Sequence, residues 1–267
     1  MITSVSNEKV KHIALLNKKA ALRREEDVFL AEGVRLFEEI PLNMIKEAYL
    51  TEEAAGMLRE RGHCDIDALF ATDCTQYVSE GVFAKMSSVV TPQGALAVVK
   101  RFHYNREDLL TGPAEPLVMI LADVQDPGNL GTILRTAEAA GVSGVVLAGD
   151  CADIYNPKVV RSTMGAIFRV PFIIEETVCG ITEFLKSRGV KVWAAALDQA
   201  ETFAERDYRA GTAFMVGNEG SGLKEEHIKA ADGGVFIPMA GRTESLNASV
   251  SAALLMYEAA RQRGYGK

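Results

Sequence analysis

The stretch Ile237-Pro-Met-Ala-Gly-Arg-Thr-Glu-Ser-Leu-Asn247, running directly into residues 248–263, decides how this chain is read. An apolar strand end breaks at Pro238, passes through a loop containing Gly241, and enters a periodic helix over 245–263. Leu246, Val250, Ala253, Leu254 and Tyr257 recur at i, i+4, i+7, i+8 and i+11, which is one face of an α-helix. Ser245, Asn247 and Ser249 crowd the first turn, where side-chain oxygens cap free backbone N–H groups. Packing alone seldom requires so many polar groups between a strand and a helix. The loop therefore reads as a candidate site.

Two further stretches share this plan. Asp123-Val-Gln-Asp-Pro-Gly-Asn-Leu-Gly-Thr-Ile-Leu-Arg-Thr-Ala-Glu-Ala-Ala-Gly141 follows the apolar run Leu117–Ala122, and Gly141 is placed to close its helix. Asp126-Pro-Gly-Asn129 has a turn composition, Asn129 is a candidate cap, and Gly131 permits close approach of a ligand to the backbone. Ile133 and Leu134 are expected to face the core, with Arg135 about two turns in. Val216-Gly-Asn-Glu-Gly-Ser-Gly-Leu223 follows a short apolar run over 212–215. Its glycines match neither GxGxxG nor GxxxxGK[ST], so a nucleotide-phosphate cradle is a weak reading.

Around these stretches, apolar runs alternate with helical patterns. Strands are predicted at Leu117–Ala122, Gly144–Ala148, 170–174, 190–196, 213–216 and 234–237. Helices are predicted at 130–140, 156–168, 178–188, 222–230 and 245–263. Such alternation argues for a mostly parallel α/β sheet covered on both faces. Residues 1–104 mix short helical patterns with short strands at 28–31, 47–50, 69–71 and 95–99. A polar stretch over 105–116, with Gly112, Pro113 and Pro116, reads as a linker to the domain 117–267.

The three stretches, in this order, resemble the three signature motifs of the SpoU branch of the SPOUT RNA methyltransferases, over residues 117–263. Ser6-Asn-Glu-Lys-Val-Lys-His-Ile-Ala-Leu-Leu16 and Phe29-Leu-Ala-Glu-Gly-Val-Arg35 are similar to the substrate-binding domain that precedes many SpoU-type rRNA methyltransferases. That domain is a small α/β sandwich related to a ribosomal-protein fold. The resemblance implies a carboxy-terminal trefoil knot, which strand alternation alone would never suggest because knots are nearly absent from proteins. It also implies a homodimer with the last helix and the Asp126–Arg135 helix at the interface, Arg135 of one subunit serving the other's donor.

By the same resemblance, S-adenosyl-L-methionine is the cofactor and Gly217, Ile237 and Leu246 form its site, with Ala195 a fourth contact and Met239 a wall. The catalytic set is Arg135, Asn129, Glu219, Ser245 and Asn247. A guanidinium stays protonated, so Arg135 is read as clamping phosphate and polarising a ribose 2′-hydroxyl, the proton leaving through a neighbour or water. Glu219 is placed to orient Asn129 or Arg135. Arg242 and Thr243 sit in a loop that either reaches RNA phosphate or is merely solvated.

Charge distribution supports an RNA partner. The net charge is −7, yet residues 1–24 carry Lys9, Lys11, Lys18, Lys19, Arg23 and Arg24 against Glu8 alone. A basic amino-terminal end on an acidic body suits a protein that touches phosphate with one end. Those six residues and Arg35 are the candidate RNA contacts. No run of about 18 apolar residues occurs, so no membrane partner is expected, and the amino terminus lacks a secretory signal's apolar core. Cys64, Cys74, Cys151 and Cys179 are scattered and read as reduced thiols of a cytoplasmic protein, with no metal site. His12, His63, His103 and His227 read as surface residues.

The expected activity is S-adenosylmethionine-dependent 2′-O-ribose methylation of RNA, with the first domain favouring rRNA over tRNA. A non-catalytic RNA-binding ribosome-assembly protein is the alternative, against which all five catalytic candidates stand intact. A nicotinamide enzyme would require a dinucleotide fingerprint after Leu117–Ala122 that the sequence lacks.

Overall fold

The computed structural model describes residues 1–62, 66–72, 74–112, 115–196 and 200–264; His63, Cys64 and Pro113 lie outside them. The chain forms two compact units, Met1–Phe102 with Asp153–Phe168, and His103–Ala152 with Arg169–Lys267. Residues 153–168 thus pack with the first unit, although the sequence motifs assign them to the second domain.

In the first unit, strands β1 (Val28–Glu32), β2 (Ile45–Leu50), β3 (Thr75–Tyr77) and β4 (Ala95–Lys100) lie in the order β1-β4-β2-β3. Both pairs that include β4 are antiparallel, and β2 and β3 are parallel. The helices of residues 1–102 are α1 (Glu8–Lys18), α2 (Ala20–Glu25), α3 (Val34–Glu38), α4 (Glu52–Arg61), α5 (Ile66–Phe70) and α6 (Glu80–Met86). Asn7 starts α1 by accepting from the Lys9 amide at 2.9 Å, and Val10, Ile13 and Leu16 make its buried face. Ile13 and Leu16 join Phe83 and Met86 of α6 in a core with Leu30, Tyr49 and Leu96 of the sheet. The strand expected at 69–71 is instead the end of α5, and the strand is β3. A short apolar run carries no periodicity that separates helix from strand; here Ile66 and Leu69 bury one helical face.

The second unit is a seven-stranded sheet of β5 (Leu117–Ala122), β6 (Gly144–Ala148), β7 (Phe172–Glu175), β8 (Lys191–Ala195), β9 (Ala200–Thr202), β10 (Thr212–Val216) and β11 (Gly233–Phe236). Its order is β7-β6-β5-β10-β8-β11-β9, and every pair is parallel. Every residue of β5, β6 and β10 is buried. A parallel sheet covered on both faces demands such continuous apolar runs, and this is why these strands were legible. The short edge strand β9 lacks that signature and was not anticipated.

Helix α7 (Pro127–Ala139) follows β5, and the segment between β6 and β7 carries α8 (Pro157–Ser162) in the first unit. Helices α9 (Val178–Ser187), α10 (Glu225–Ala230) and α11 (Ala248–Gln262) complete the second unit. The helix expected over 156–168 stops at Ser162 because Met164 and Gly165 take left-handed φ values of +51° and +93°. Helix α11 returns after β11 to pack on α7 and β10. Its buried face is Ala248, Ser249, Ala252, Leu255, Met256, Ala259 and Ala260. The stripe read from the sequence is the other face: Val250, Leu254 and Tyr257 are 45, 38 and 53 % exposed. Small residues on the packed side hid the true core face, since alanine carries little weight in a hydrophobic pattern.

Candidate active site

Because the strands are parallel, the loops after β5, β8, β10 and β11 all leave the same carboxyl edge. The sheet reverses its order at β5 and β10, and open α/β sheets bind ligands at such a point. Asp126 caps α7, its Oδ1 accepting from the Asn129 amide at 2.8 Å. The cap was expected to be Asn129. The Asp-Pro pair, with Pro127 in the first turn, is the sequence signal for the observed start. Relieved of capping, the Asn129 side chain bridges the other two motifs.

That bridge is a chain of hydrogen bonds. Asn129 Nδ2 donates to Glu219 Oε1 at 2.9 Å, and Asn247 Nδ2 donates to Asn129 Oδ1 at 2.9 Å. The Glu219 carboxylate also accepts from the backbone amides of Gln125 at 3.2 Å and Asp126 at 3.0 Å. Asn247 Oδ1 in turn caps α11, accepting from the Ser249 amide at 2.9 Å. Asn129 is only 8 % exposed, and both ends of its amide are satisfied, as a buried polar group requires. Burial acts to raise the Glu219 pKa. The hydrogen bonds from Asn129 and from the backbone amides of Glu219, Asp126 and Gln125 outweigh it, holding the carboxyl below its ordinary range.

Asn218 shapes the middle loop. Its Nδ2 donates to the Asp123 carbonyl at 2.9 Å, while its Oδ1 accepts from the Gly220 and Ser221 amides at 2.9 and 3.1 Å. A Cβ at Gly217 would overlap the Gly222 carbonyl and the Leu223 amide. Glycine is thus needed there for the loop to close on itself. Lys224 and Asp123 form an ion pair at 2.8 Å; the Lys224 hydrogen bond and the Asp150 amide hold the Asp123 carboxyl below its ordinary range. Sequence reasoning missed Asp126, Asn218 and Lys224. Asn218 was part of a quoted motif, but nothing in its identity distinguishes a loop organiser from a surface amide.

Beside this junction lies a cleft of about 130 Å³, walled by Ala195, Ile237, Met239, Ser245 and Leu246 over Val235 and Leu255. Four of the five expected cofactor residues thus share one cleft with Ser245, while Gly217 is outside its lining. Arg135 joins neither cluster: it is exposed on α7 and makes no hydrogen bond or ion pair with another described residue. Among the described residues, the backbone of 239–246 makes no hydrogen bond, which leaves its polar groups for a ligand or water. Apolar walls with hydroxyls from Ser245 and Ser251 and a carboxylate from Glu244 suit an adenosine, whose purine is flat and whose ribose offers hydroxyls.

The RNA candidates lie on the first unit. Lys11 pairs with Glu8 at 2.7 Å; Lys18, Lys19, Arg24 and Arg35 are exposed and Lys9 is partly so. Arg23 is 4 % exposed, donating to the Leu16 carbonyl at 2.7 Å and to Asp153 at 2.6 Å. It is an internal strut, not a phosphate contact. His227 is also buried, contrary to the surface reading, and desolvation lowers its pKa. No helix among the described residues is long and apolar enough to cross a membrane.

Both parts of the chain match known protein families. The SpoU rRNA Methylase family matches residues 116–257, and the MRM3-like substrate binding domain matches residues 7–97. The chain belongs to the SpoU rRNA Methylase family. It is 34 % identical over 256 residues to the 23S rRNA (guanosine(2553)-2′-O)-methyltransferase RlmP of Bacillus subtilis, covering 96 % of this chain and 97 % of that one. An AdoMet-bound rRNA methyltransferase from Sinorhizobium meliloti superposes with a TM-score of 0.85 at 30 % identity, covering 97 % of each chain. The SpoU methyltransferase AviRb from Streptomyces viridochromogenes, in complex with AdoMet, superposes with a TM-score of 0.82 at 26 % identity, covering 97 % of this chain and 100 % of that one.

Proposed function

We propose that this chain transfers a methyl group from S-adenosylmethionine to a ribose 2′-hydroxyl of rRNA. The observation that carries this reading is the hydrogen-bonded junction of Asn129, Glu219 and Asn247 beside the cleft of Ala195, Ile237 and Leu246. When bound there, the cofactor supplies an electrophilic methyl group. The protein's part is to hold methyl carbon and hydroxyl oxygen in line, to exclude water and to provide for the leaving proton. Positioning of this kind supplies as much as about 7–11 kcal/mol of a barrier.

Arg135 is the residue we assign to the RNA, binding phosphate and polarising the 2′-hydroxyl while remaining protonated. It serves the cleft of a second copy. The exposed apolar face of α11, with Val250, Leu254 and Tyr257, is the surface on which the homodimer forms. The return of α11 onto α7 after β11 supports the reading of a carboxy-terminal trefoil knot. The RNA-contacting set on the first unit is Lys9, Lys11, Lys18, Lys19, Arg24 and Arg35, and the enzyme works in the cytoplasm.

The test is transfer of labelled methyl to rRNA transcripts followed by digestion to nucleosides. Label on ribose, abolished by Arg135→Ala, is expected. Label on bases, or ribose methylation that survives Arg135→Ala, refutes the assignment.

A further inference from the structure

A cavity of about 630 Å³ within the first unit has no part in the chemistry above. Arg35, Arg61 and Arg161 line it, together with Leu36, Val89 and Met164. Most of its other charges are already satisfied. Arg61 pairs with Glu38, and buried Glu32 accepts from the Ser88 amide at 3.1 Å and from the Ser87 and Ser88 hydroxyls. Arg161 donates one hydrogen bond, to Ser88 Oγ at 2.7 Å, and stands 3.9 Å from Glu32, leaving further guanidinium donors. Arg35 makes no hydrogen bond or ion pair with a described residue. Glu32, Glu38 and Glu39 match the three arginines of the lining in number, and Arg35 is the cation among them with no partner in the described residues.

A second observation is independent of charge. Met164 is held at φ +51° and is nevertheless 46 % exposed at the cavity. The left-handed φ ends helix α8, as a residue just past the C-cap commonly does. What bears on the cavity is the side chain, which is apolar and yet half in solvent. It presents a thioether as a flat, polarisable contact for an aromatic ring.

We propose that this cavity receives one unpaired nucleotide of the RNA substrate. Its phosphate meets Arg35 and Arg161, and its base lies on Met164 against Leu36 and Val89. The inference rests on the reading of the chain as an RNA methyltransferase and adds how the RNA is held. A volume within the range of about 300–1,000 Å³ typical of ligand pockets suits a single nucleotide. A duplex cannot enter, whereas the splayed bases of single-stranded loops are what proteins read in RNA. Arg161 and Met164 come from the segment between β6 and β7, so part of the methyltransferase family region completes the cavity of the first unit.

Fluorescence anisotropy on the full-length protein tests this with a short labelled single-stranded RNA and a duplex of the same sequence. Arg35→Gln and Arg161→Gln should each weaken single-strand binding by about tenfold and lower the salt slope by about one. Met164→Gly should weaken it by about fivefold with no change in salt slope. Duplex affinity should hold in all three. Unchanged S-adenosylmethionine binding by calorimetry and an unchanged Tm certify the fold; should Arg161→Gln misfold, Arg35→Gln and Met164→Gly decide. Single-strand affinity within about twofold of the parent, or equal losses for strand and duplex, overturns the proposal. Ribose methylation by the parent protein is scored separately, so a failure of this inference leaves the proposed activity standing, and the reverse.

Discussion

Replacing Glu219 with alanine separates positioning from stability. Two of its partners, the amides of Gln125 and Asp126, lie on the exposed side, where water replaces the lost acceptor. The part-buried bond from Asn129 is charge-assisted. Such bonds are worth about 1.5–3 kcal/mol, and exposure of the carboxylate reduces this to about 1 kcal/mol. A loss of about 1 kcal/mol lowers Tm by about 2–4 °C and accounts for about a fivefold loss of rate. Yet Asn129 also holds Asn247, the cap of α11 beside Ser245 and Leu246. Once released, these groups move relative to the cleft, and a misplacement of about 1 Å costs about 100-fold. Glu219→Ala should therefore lower kcat/KM for methyl transfer to rRNA by about 100-fold while Tm falls only about 2–4 °C. Glu219→Gln keeps an acceptor for Asn129 and should fall between. A kcat/KM loss no larger than about fivefold in Glu219→Ala refutes the idea that this carboxylate holds the site's geometry.

Other outcomes follow from the same contacts. Gly217→Ala forces a methyl group into the Gly222–Leu223 backbone, so calorimetry should show donor affinity falling by at least about tenfold. Leu254→Glu, on the exposed stripe of α11, should give a monomer by light scattering and abolish transfer. Mixing Arg135→Ala subunits with Gly217→Ala subunits should restore about a quarter of parental activity if Arg135 serves the partner's cleft, and none if it serves its own. The carboxyls of Glu219 and Asp123 are depressed in the folded state. Their stabilisation is present above the unfolded values, about 4.3 and 3.9, and is lost as pH falls through the folded ones. Lys224→Met should shrink the acid-induced fall in Tm, because Asp123 then loses its largest stabilising contact.

What could be read from the sequence follows from the strength of local signals. Strands β5, β6 and β10 are fully buried and announced themselves as apolar runs; β9 is short and lies at the edge, and α5 was mistaken for a strand. The three motifs pointed to Asn129, Glu219 and Asn247, which the fold joins although they lie up to 118 residues apart. Which atom bonds which was not legible, because Asp126 and Asn129 are both good caps and only the approach of Glu219 decides between them. The face of α11 was misread because alanines pack the interior while Val250, Leu254 and Tyr257 face outward. A basic helix does not reveal that one of its neighbours, Arg23, turns inward to Asp153.

The most direct measurement is a map of ribose methylation across rRNA from cells with the protein, without it, and with only the Arg135→Ala form. A 2′-O-methyl group present with the intact protein and missing in both other cases is the predicted result. An identical methylation map in all three contradicts the account.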